Sequence, residues 1–423
     1  MREMKDSGIE WIGQIPKDWV TIRIGNVFSL RNERNYLPME QVQLLSLYSG
    51  KGVFPTGEEG TTNSGNHAQT VADYKIVKRN DIVVNIILAW MGSLGISNYD
   101  GVVSPAYDVY IPDEEKVVPH YYHYVFRTSG IANECYRYGR GIMMMRWRTY
   151  SSEFKRIHVP FPPLEEQQQI ANYLDTQCSE IDATAEDIQK EISLLEEYKK
   201  SVITEAVTKG LNPDAEMKDS GIEWVGKVPV TWKIMPNKYI MTKKKVIKEV
   251  YDDENIISLS MNGVIVRDLE AGGKMPKTFD GYQIVYPGNL LMCLFDYDVT
   301  PRCIGLIKDY GVTSPAYSQF VMNNDNYSGY YYYYYLMIDH AKTLLHLAKN
   351  LRHSFTEEQL GAILAPVPTV EEQYQIVNYL DTKCSEIDTL IADKKRQLDT
   401  LADYKKSLIY EYVTGKKEVP VNE

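Results

Sequence analysis

Only five cysteines occur in 423 residues, Cys135, Cys178, Cys293, Cys303 and Cys384, and no two stand as CxxC. An odd, scattered set without Cys/His ligand spacing supports neither a disulfide framework nor a zinc site, so these read as reduced core residues. No run of about 18 apolar residues is present, and the opening MREMKDSGIEW lacks the apolar stretch of a signal peptide. A cytoplasmic protein with no membrane partner is therefore expected. Also missing are a GxxxxGK[ST] phosphate loop, an Asn-Pro-Pro-Tyr or Asp-Pro-Pro-Tyr methyltransferase tetrapeptide, and a histidine pair at zinc-protease spacing. Pro112-Asp113-Glu114-Glu115-Lys116 has the letters of a nuclease centre, but they are too compressed to surround a metal from separate strands and read as an exposed acidic turn. These absences predict no catalytic residue, no cofactor and no metal in this chain.

Positive charge is also in short supply, with 46 Lys and Arg against 57 Asp and Glu and a net charge of -11. A nucleic-acid partner ordinarily wants the opposite balance, because phosphate contacts dominate its affinity. The acidity is nonetheless localised. Residues 161–232 carry 6 basic against 15 acidic side chains, whereas residues 20–160 carry 15 against 13 and residues 233–368 carry 14 against 14. Each large block is near neutral, which leaves room for a basic face on each.

What the chain does have is a repeat. MKDSGIEWIGQIPKDW, Met4 to Trp19, returns as MKDSGIEWVGKVPVTW, Met217 to Trp232, with 11 of 16 positions identical. EEQQQIANYLDTQCSEID, Glu165 to Asp182, returns as EEQYQIVNYLDTKCSEID, Glu371 to Asp388, with 15 of 18 identical, and YKKSVITEAVTKG (Tyr198 to Gly210) is echoed by YKKSLIYEYVTGK (Tyr404 to Lys416). Between these frames lie two inserts that share little beyond SPAY at Ser104 to Tyr107 and Ser314 to Tyr317. Like frames around unlike inserts suggest that the frame meets one partner twice while each insert meets something different.

The second frame block is helical by its rhythm. Leu174, Cys178, Ile181, Ala185, Ile188, Ile192, Leu195, Lys199 and Val202 alternate steps of four and three, as do Leu380, Cys384, Ile387, Ile391, Lys394, Leu398, Leu401, Lys405 and Leu408. That is an a/d heptad seam. Thr369 with Glu372 makes a capping box, and Gly210 followed by Pro213 makes a stop. Each stripe must be buried; antiparallel pairing with the other copy does so while relating the two inserts by an approximate two-fold axis, and the alternative is that each helix pairs with a different protein. The lysines at seam positions, Lys199 and Lys405, either snorkel and fix register or mark solvated kinks.

The inserts read as mixed α/β with many short strands. Asp81 to Trp90 and Gly101 to Pro112 look like strands and Pro119 to Tyr136 looks helical, with Asn289 to Phe295, Gly311 to Met322 and Ser328 to Ile338 in corresponding places. The run Tyr330 to Tyr335 tempts a reading as a base-stacking surface, but its match to Tyr121 to Phe126 favours a half-buried helix.

The frame order, the SGIEWIGQIPKDW opening, and the junctions VPFPPLEEQQQIANYLD (Val159 to Asp175) and VPTVEEQYQIVNYLD (Val367 to Asp381) together resemble the specificity subunit of type I restriction-modification systems over essentially the whole chain. The resemblance implies two target-recognition domains separated by a long antiparallel two-helix coiled-coil spacer. Each domain would read one half of a bipartite double-stranded DNA sequence. The partners it implies are two modification subunits, carrying S-adenosylmethionine, and restriction subunits, carrying ATP and magnesium. The domains expected are 1–160, first recognition domain with its frame segment; 161–213, central helical spacer; 214–366, second recognition domain; and 367–423, distal helical spacer and tail. An assembly scaffold that reads no DNA, and a self-contained methyltransferase or nuclease, are the alternatives; the missing motifs argue against the latter.

Recognition inserts vary too widely for base-reading residues to be carried across, so DNA-contact candidates rest on charge alone. Arg137, Arg140, Arg146 and Arg148 with Gly139, Gly141 and Trp147 form a basic stretch before the first spacer, and Lys349, Asn350, Arg352 and His353 hold the corresponding place in the second insert. Lys243, Lys244 and Lys245 are candidate phosphate anchors. Lys51 lies in a Tyr48-Ser49-Gly50-Lys51-Gly52 segment whose glycines allow close approach to DNA or simply a tight turn.

Overall fold

A computed structural model describes residues 2–48, 52–57, 70–142, 147–270, 276–348 and 353–420. The chain divides into two compact units, Met1–Ile188 with Arg396–Glu423, and Gln189–Lys395. Each of the two long frame helices is shared between both units.

In the first unit, strands Val20–Arg23 and His158–Phe161 pair antiparallel, with Val20 opposite Phe161 and Arg23 opposite His158. The insert therefore enters and leaves on neighbouring strands. Between them lies a four-stranded antiparallel sheet in the order Phe28–Leu30, Tyr107–Pro112, Ile82–Asn85, Leu94–Ile96. The helices α1 (Pro119–Phe126) and α2 (Ser129–Tyr138) follow, then a single turn of helix at Ser151–Phe154, and after the closing strand the first long helix, α3 (Leu164–Lys209). The expected Asp81 to Trp90 strand stops at Asn85, whose side-chain oxygen accepts from the Ile87 and Leu88 amides at 3.0 and 3.2 Å and turns the chain. The expected Pro119 to Tyr136 helix is broken at Thr128, whose hydroxyl turns back onto the Val125 carbonyl at 2.8 Å.

The second unit repeats this plan. Lys233–Pro236 pairs with Leu364–Val367, and the sheet order is Met241–Lys244, Ser318–Met322, Leu290–Met292, Ile304–Leu306. The helix α4 (Ser328–His340) stands in the place of α1, and the second long helix is α5 (Val370–Val413). The SPAY segments are turns in both units, with the Ala106 and Ala316 amides donating to Ser104 and Ser314 hydroxyls at 3.2 and 3.3 Å.

Within each unit α3 and α5 run antiparallel. In the first, Tyr173 stacks obliquely on Tyr412, with centroids 4.6 Å apart, and Asp182 meets Lys405 one stretch further along α3 and further back along α5. In the second, Glu191 meets Lys394 and Asp388 meets Lys199 in the same sense. All twelve apolar seam positions, Leu174, Ile181, Ile188, Ile192, Leu195, Val202, Leu380, Ile387, Ile391, Leu398, Leu401 and Leu408, are buried or half-buried, while Leu194 and Leu390 off the seam are exposed. Lys199 and Lys405 each bridge to both carboxylate oxygens of an aspartate on the facing helix at 2.7 Å, so they fix register. Thr369 and Glu372 form the capping box, with the Glu372 amide on the Thr369 hydroxyl at 3.3 Å and the Thr369 amide on the Glu372 carboxylate at 3.1 Å. Gly210 ends α3 at a φ of 75°, a conformation that favours glycine.

Candidate nucleic-acid interface

The residues common to both copies hold each insert onto its helices by the same set of bonds. The Trp19 indole N–H donates to Glu166 at 2.8 Å, and that of Trp232 to Glu372 at 3.2 Å. Fully buried Gln167 accepts from the Val118 amide at 2.8 Å, just before α1, and Gln373 accepts from the Tyr327 amide at 2.7 Å, just before α4. The Tyr121 hydroxyl donates to the Val413 carbonyl and that of Tyr330 to the Val207 carbonyl, at 2.8 and 2.9 Å; Tyr124 donates to Asp175 and Tyr333 to Asp381, at 2.6 and 2.7 Å. Buried polar groups are thus paired in duplicate. The tyrosine run belongs to this bracket: Tyr330, Tyr331, Tyr333, Tyr334 and Tyr335 are all buried, so their rings are packed in the core and offer no stacking surface to a base.

In the first insert the basic residues gather at the C-terminal end of α2. The guanidinium carbons of Arg137 and Arg156 lie 5.2 and 5.5 Å from the Tyr138 ring centroid, so the two arginines share one aromatic ring. Arg137 also pairs with Glu134 at 3.2 Å. Arg140 and Arg148 face each other across a two-residue antiparallel bridge, both exposed, and Arg140 reaches Glu153 at 2.9 Å. Trp147 stacks on Tyr136 with centroids 5.0 Å apart, and a side chain at Gly139 would strike its ring, which is why glycine stands there. The structure therefore brings Arg137, Arg140 and Arg148 together and adds Arg156, which charge counting before the spacer passed over. Arg146 lies outside the described residues, as does Lys51.

The second insert is less concentrated. Lys243 forms an ion pair with Glu357, the Lys244 ammonium sits 3.7 Å from the Tyr286 ring centroid, and Lys245 is exposed. His353 pairs with Asp298 at 2.8 Å. Lys349, Asn350 and Arg352 lie outside the described residues. Two arginines that no sequence cluster marked, Arg127 and Arg302, lie beside the long helices. Arg127 contacts His123 at 3.1 Å, and Arg302 donates to the hydroxyl of Tyr332. Burial holds the His123 imidazole down at about 3, with the charges of Arg127 and Lys405 adding to the effect. His340, on α4, is held at about 4, first by burial and then by Lys200. Both imidazoles are therefore neutral at physiological pH. Among the described residues no helix is long and apolar enough to cross a membrane.

Residues 16–194 match the family model described as the type I restriction modification DNA specificity domain. Over almost its whole length the chain is similar to two proteins of Methanocaldococcus jannaschii. It is 23% identical to the type I restriction enzyme MjaVIII specificity subunit, across 96% of this chain and 94% of that one. It is also 23% identical to the putative type I restriction enzyme MjaX specificity subunit, across 96% of each. The fold is similar to that of a chain solved in a study of complex assembly and conformational transition of the type I R-M system, with a TM-score of 0.69 and 12% identity over 95% of this chain and 99% of that one. The duplicated frame, the partial family match and the full-length similarity point the same way: over nearly its whole length the chain is similar to type I restriction-modification specificity subunits.

Proposed function

We propose that this chain is the sequence-specific DNA-recognition subunit of a type I restriction-modification complex. One half of a bipartite, asymmetric target is read by the insert within residues 20–160, the other by the insert within residues 233–366. The helical pair sets the distance between half-sites and docks two modification subunits and the restriction subunits. Methyl transfer, ATP-driven translocation and cleavage belong to those partners, which carry S-adenosylmethionine, ATP and magnesium, so this chain is a non-catalytic reader acting in the cytoplasm. One observation carries the reading: a frame repeated down to its individual hydrogen bonds, from Trp19–Glu166 and Trp232–Glu372 to Tyr121–Val413 and Tyr330–Val207, holds two inserts whose remaining side chains differ.

Charge predicts how the reading shows itself. With a net charge of -11 and basic side chains gathered only locally, the isolated chain is expected to bind DNA weakly and without sequence preference. Adding modification subunits is expected to produce tight, selective binding. Fluorescence anisotropy on duplexes with and without the methylated site, each with and without modification subunits, checks this; nanomolar selective binding by the chain alone contradicts it.

The helices predict a second outcome. Inserting one heptad near Ile192 on α3 together with one near Leu398 on α5 preserves the seam and lengthens the pair by ~10 Å, roughly three base pairs. Methylation mapping should find both half-sites retained and set further apart by about that spacing. Methylation at the original spacing would show that the helices are not the ruler.

A further inference from the structure

Where each insert rests on the long helices, an arginine from the insert and a lysine from the frame serve the same small region: Arg302 and Lys199 line one cleft, and the charges of Arg127 and Lys405 both act on His123 and Cys178. In the second unit this is a cleft of ≈ 380 Å³ whose lining includes Lys199, Lys200, Lys395, Arg302, Tyr332 and His340. Lys199 is balanced by Asp388 at 2.7 Å. Arg302 is not balanced in this way: its side chain donates to the carbonyls of Ile304 and Met261, at 3.1 and 3.0 Å, and to the Tyr332 hydroxyl, all uncharged acceptors. Five guanidinium N–H groups less these three leave two to offer a ligand. His340 is neutral, and the other acid in the lining is Glu196.

The first unit builds the same arrangement from different residues. Lys405 bridges to Asp182 at 2.7 Å, as Lys199 does to Asp388, and Arg127 contacts His123, which occupies the position on α1 that Tyr332 occupies on α4. The two arginines are not equivalent in the repeat. The helix register puts Leu336 where Arg127 stands, and the sheet register, with Ile304–Leu306 matching Leu94–Ile96, puts Gly92 where Arg302 stands. The guanidinium has thus been supplied twice, from a helix end in one unit and from a strand entrance in the other, to equivalent positions, His123 on α1 and Tyr332 on α4.

We propose that the second-unit cleft, and the corresponding place beside Arg127 in the first unit, each bind a backbone phosphate of the DNA: Arg127 or Arg302 with the frame lysine near it forms a positioning contact common to two heads that read different bases. This rests on the DNA-recognition reading above. A phosphate carries no sequence information, so a contact to it is the one requirement that unlike heads share. That accounts for a cation which persists while its source residue changes. The aspartate on each frame lysine keeps the cleft only modestly positive, matched to the single charge of a phosphodiester.

The test uses the full chain assembled with its modification subunits and carrying Arg127→Gln with Arg302→Gln. Affinity is measured across a salt series on duplexes that contain the methylated site and on unrelated duplexes. Each phosphate contact contributes ~0.9 to the slope of log affinity against log salt, so the slope should fall by about two, and affinity should drop by about tenfold on both kinds of duplex with the methylated sequence unchanged. Lys200→Gln, at an exposed helix position lining the same cleft, is the second variant; it should lower the slope by no more than that cleft's single contact, about one, and decides the matter if the arginine variant fails to fold. An unchanged slope in a complex whose wild type binds selectively overturns the phosphate site and leaves the recognition reading intact. Weakened subunit assembly with an unchanged slope would assign the cleft to an acidic partner protein and equally overturns it. A wild-type complex with no sequence preference removes the recognition reading itself.

Discussion

Trp232→Ala is expected to cost about 3–5 kcal/mol of stability, the range for deleting a fully buried large aromatic side chain. Trp232 is 1% exposed and its ring meets Tyr330 edge-on with centroids 6.3 Å apart. Its indole N–H donates to Glu372, whose carboxylate also accepts from the Thr369 amide that caps α5. The last turn of α3 packs on the same ring through Gly210, where a Cβ would lie 3.2 Å from it. Removing the indole therefore opens a cavity where strand, insert helix and both long helices converge. Urea denaturation of the full chain measures the loss. Tyr239→Ala, at a half-exposed position in the same unit, should stay within about 0.5 kcal/mol. A Trp232→Ala loss no larger than that control would mean the bracket is not what holds the unit together.

The frame was legible because it is local and printed twice. The seam from Leu174 to Leu408, the Thr369–Glu372 cap and the Gly210 stop are all features of short sequence windows, where a 3.6-residue period and capping chemistry leave a direct trace. The tyrosine run was legible only by comparison with Tyr121 to Phe126. Its hydroxyls find carbonyls and carboxylates as far as 123 residues away, and that pairing leaves no mark within the run itself. The strand pairs that open and close each insert were invisible for the same reason, since Val20 meets Phe161 and Lys233 meets Val367 only after a whole sheet has folded between them.

At the candidate interface, charge counting found Arg137, Arg140 and Arg148 because they are neighbours in sequence. It missed Arg156, which joins them by sharing the Tyr138 ring, and it missed Arg127 and Arg302, which stand alone in the chain and become comparable only when the two sheets are superposed by register. Lys243 and Lys244 were visible as a basic run, yet the strand alternation gives them different neighbours, the carboxylate of Glu357 and the ring of Tyr286.

Because each insert begins and ends on one antiparallel strand pair, and its bracket bonds stay within its own unit, it is exchangeable without moving the bracket bonds of the other unit. The decisive measurement is methylome sequencing of cells that express the modification subunit with a chimera whose residues 20–160 come from a type I restriction-modification specificity subunit. A two-fold frame yields a palindromic target only when its two heads are alike, and these heads are unlike, so the native site should be bipartite and asymmetric. The chimera should replace one half-site completely and leave the half read by residues 233–366 untouched. A palindromic native site, or a chimera in which both halves change together, contradicts independent reading by two heads.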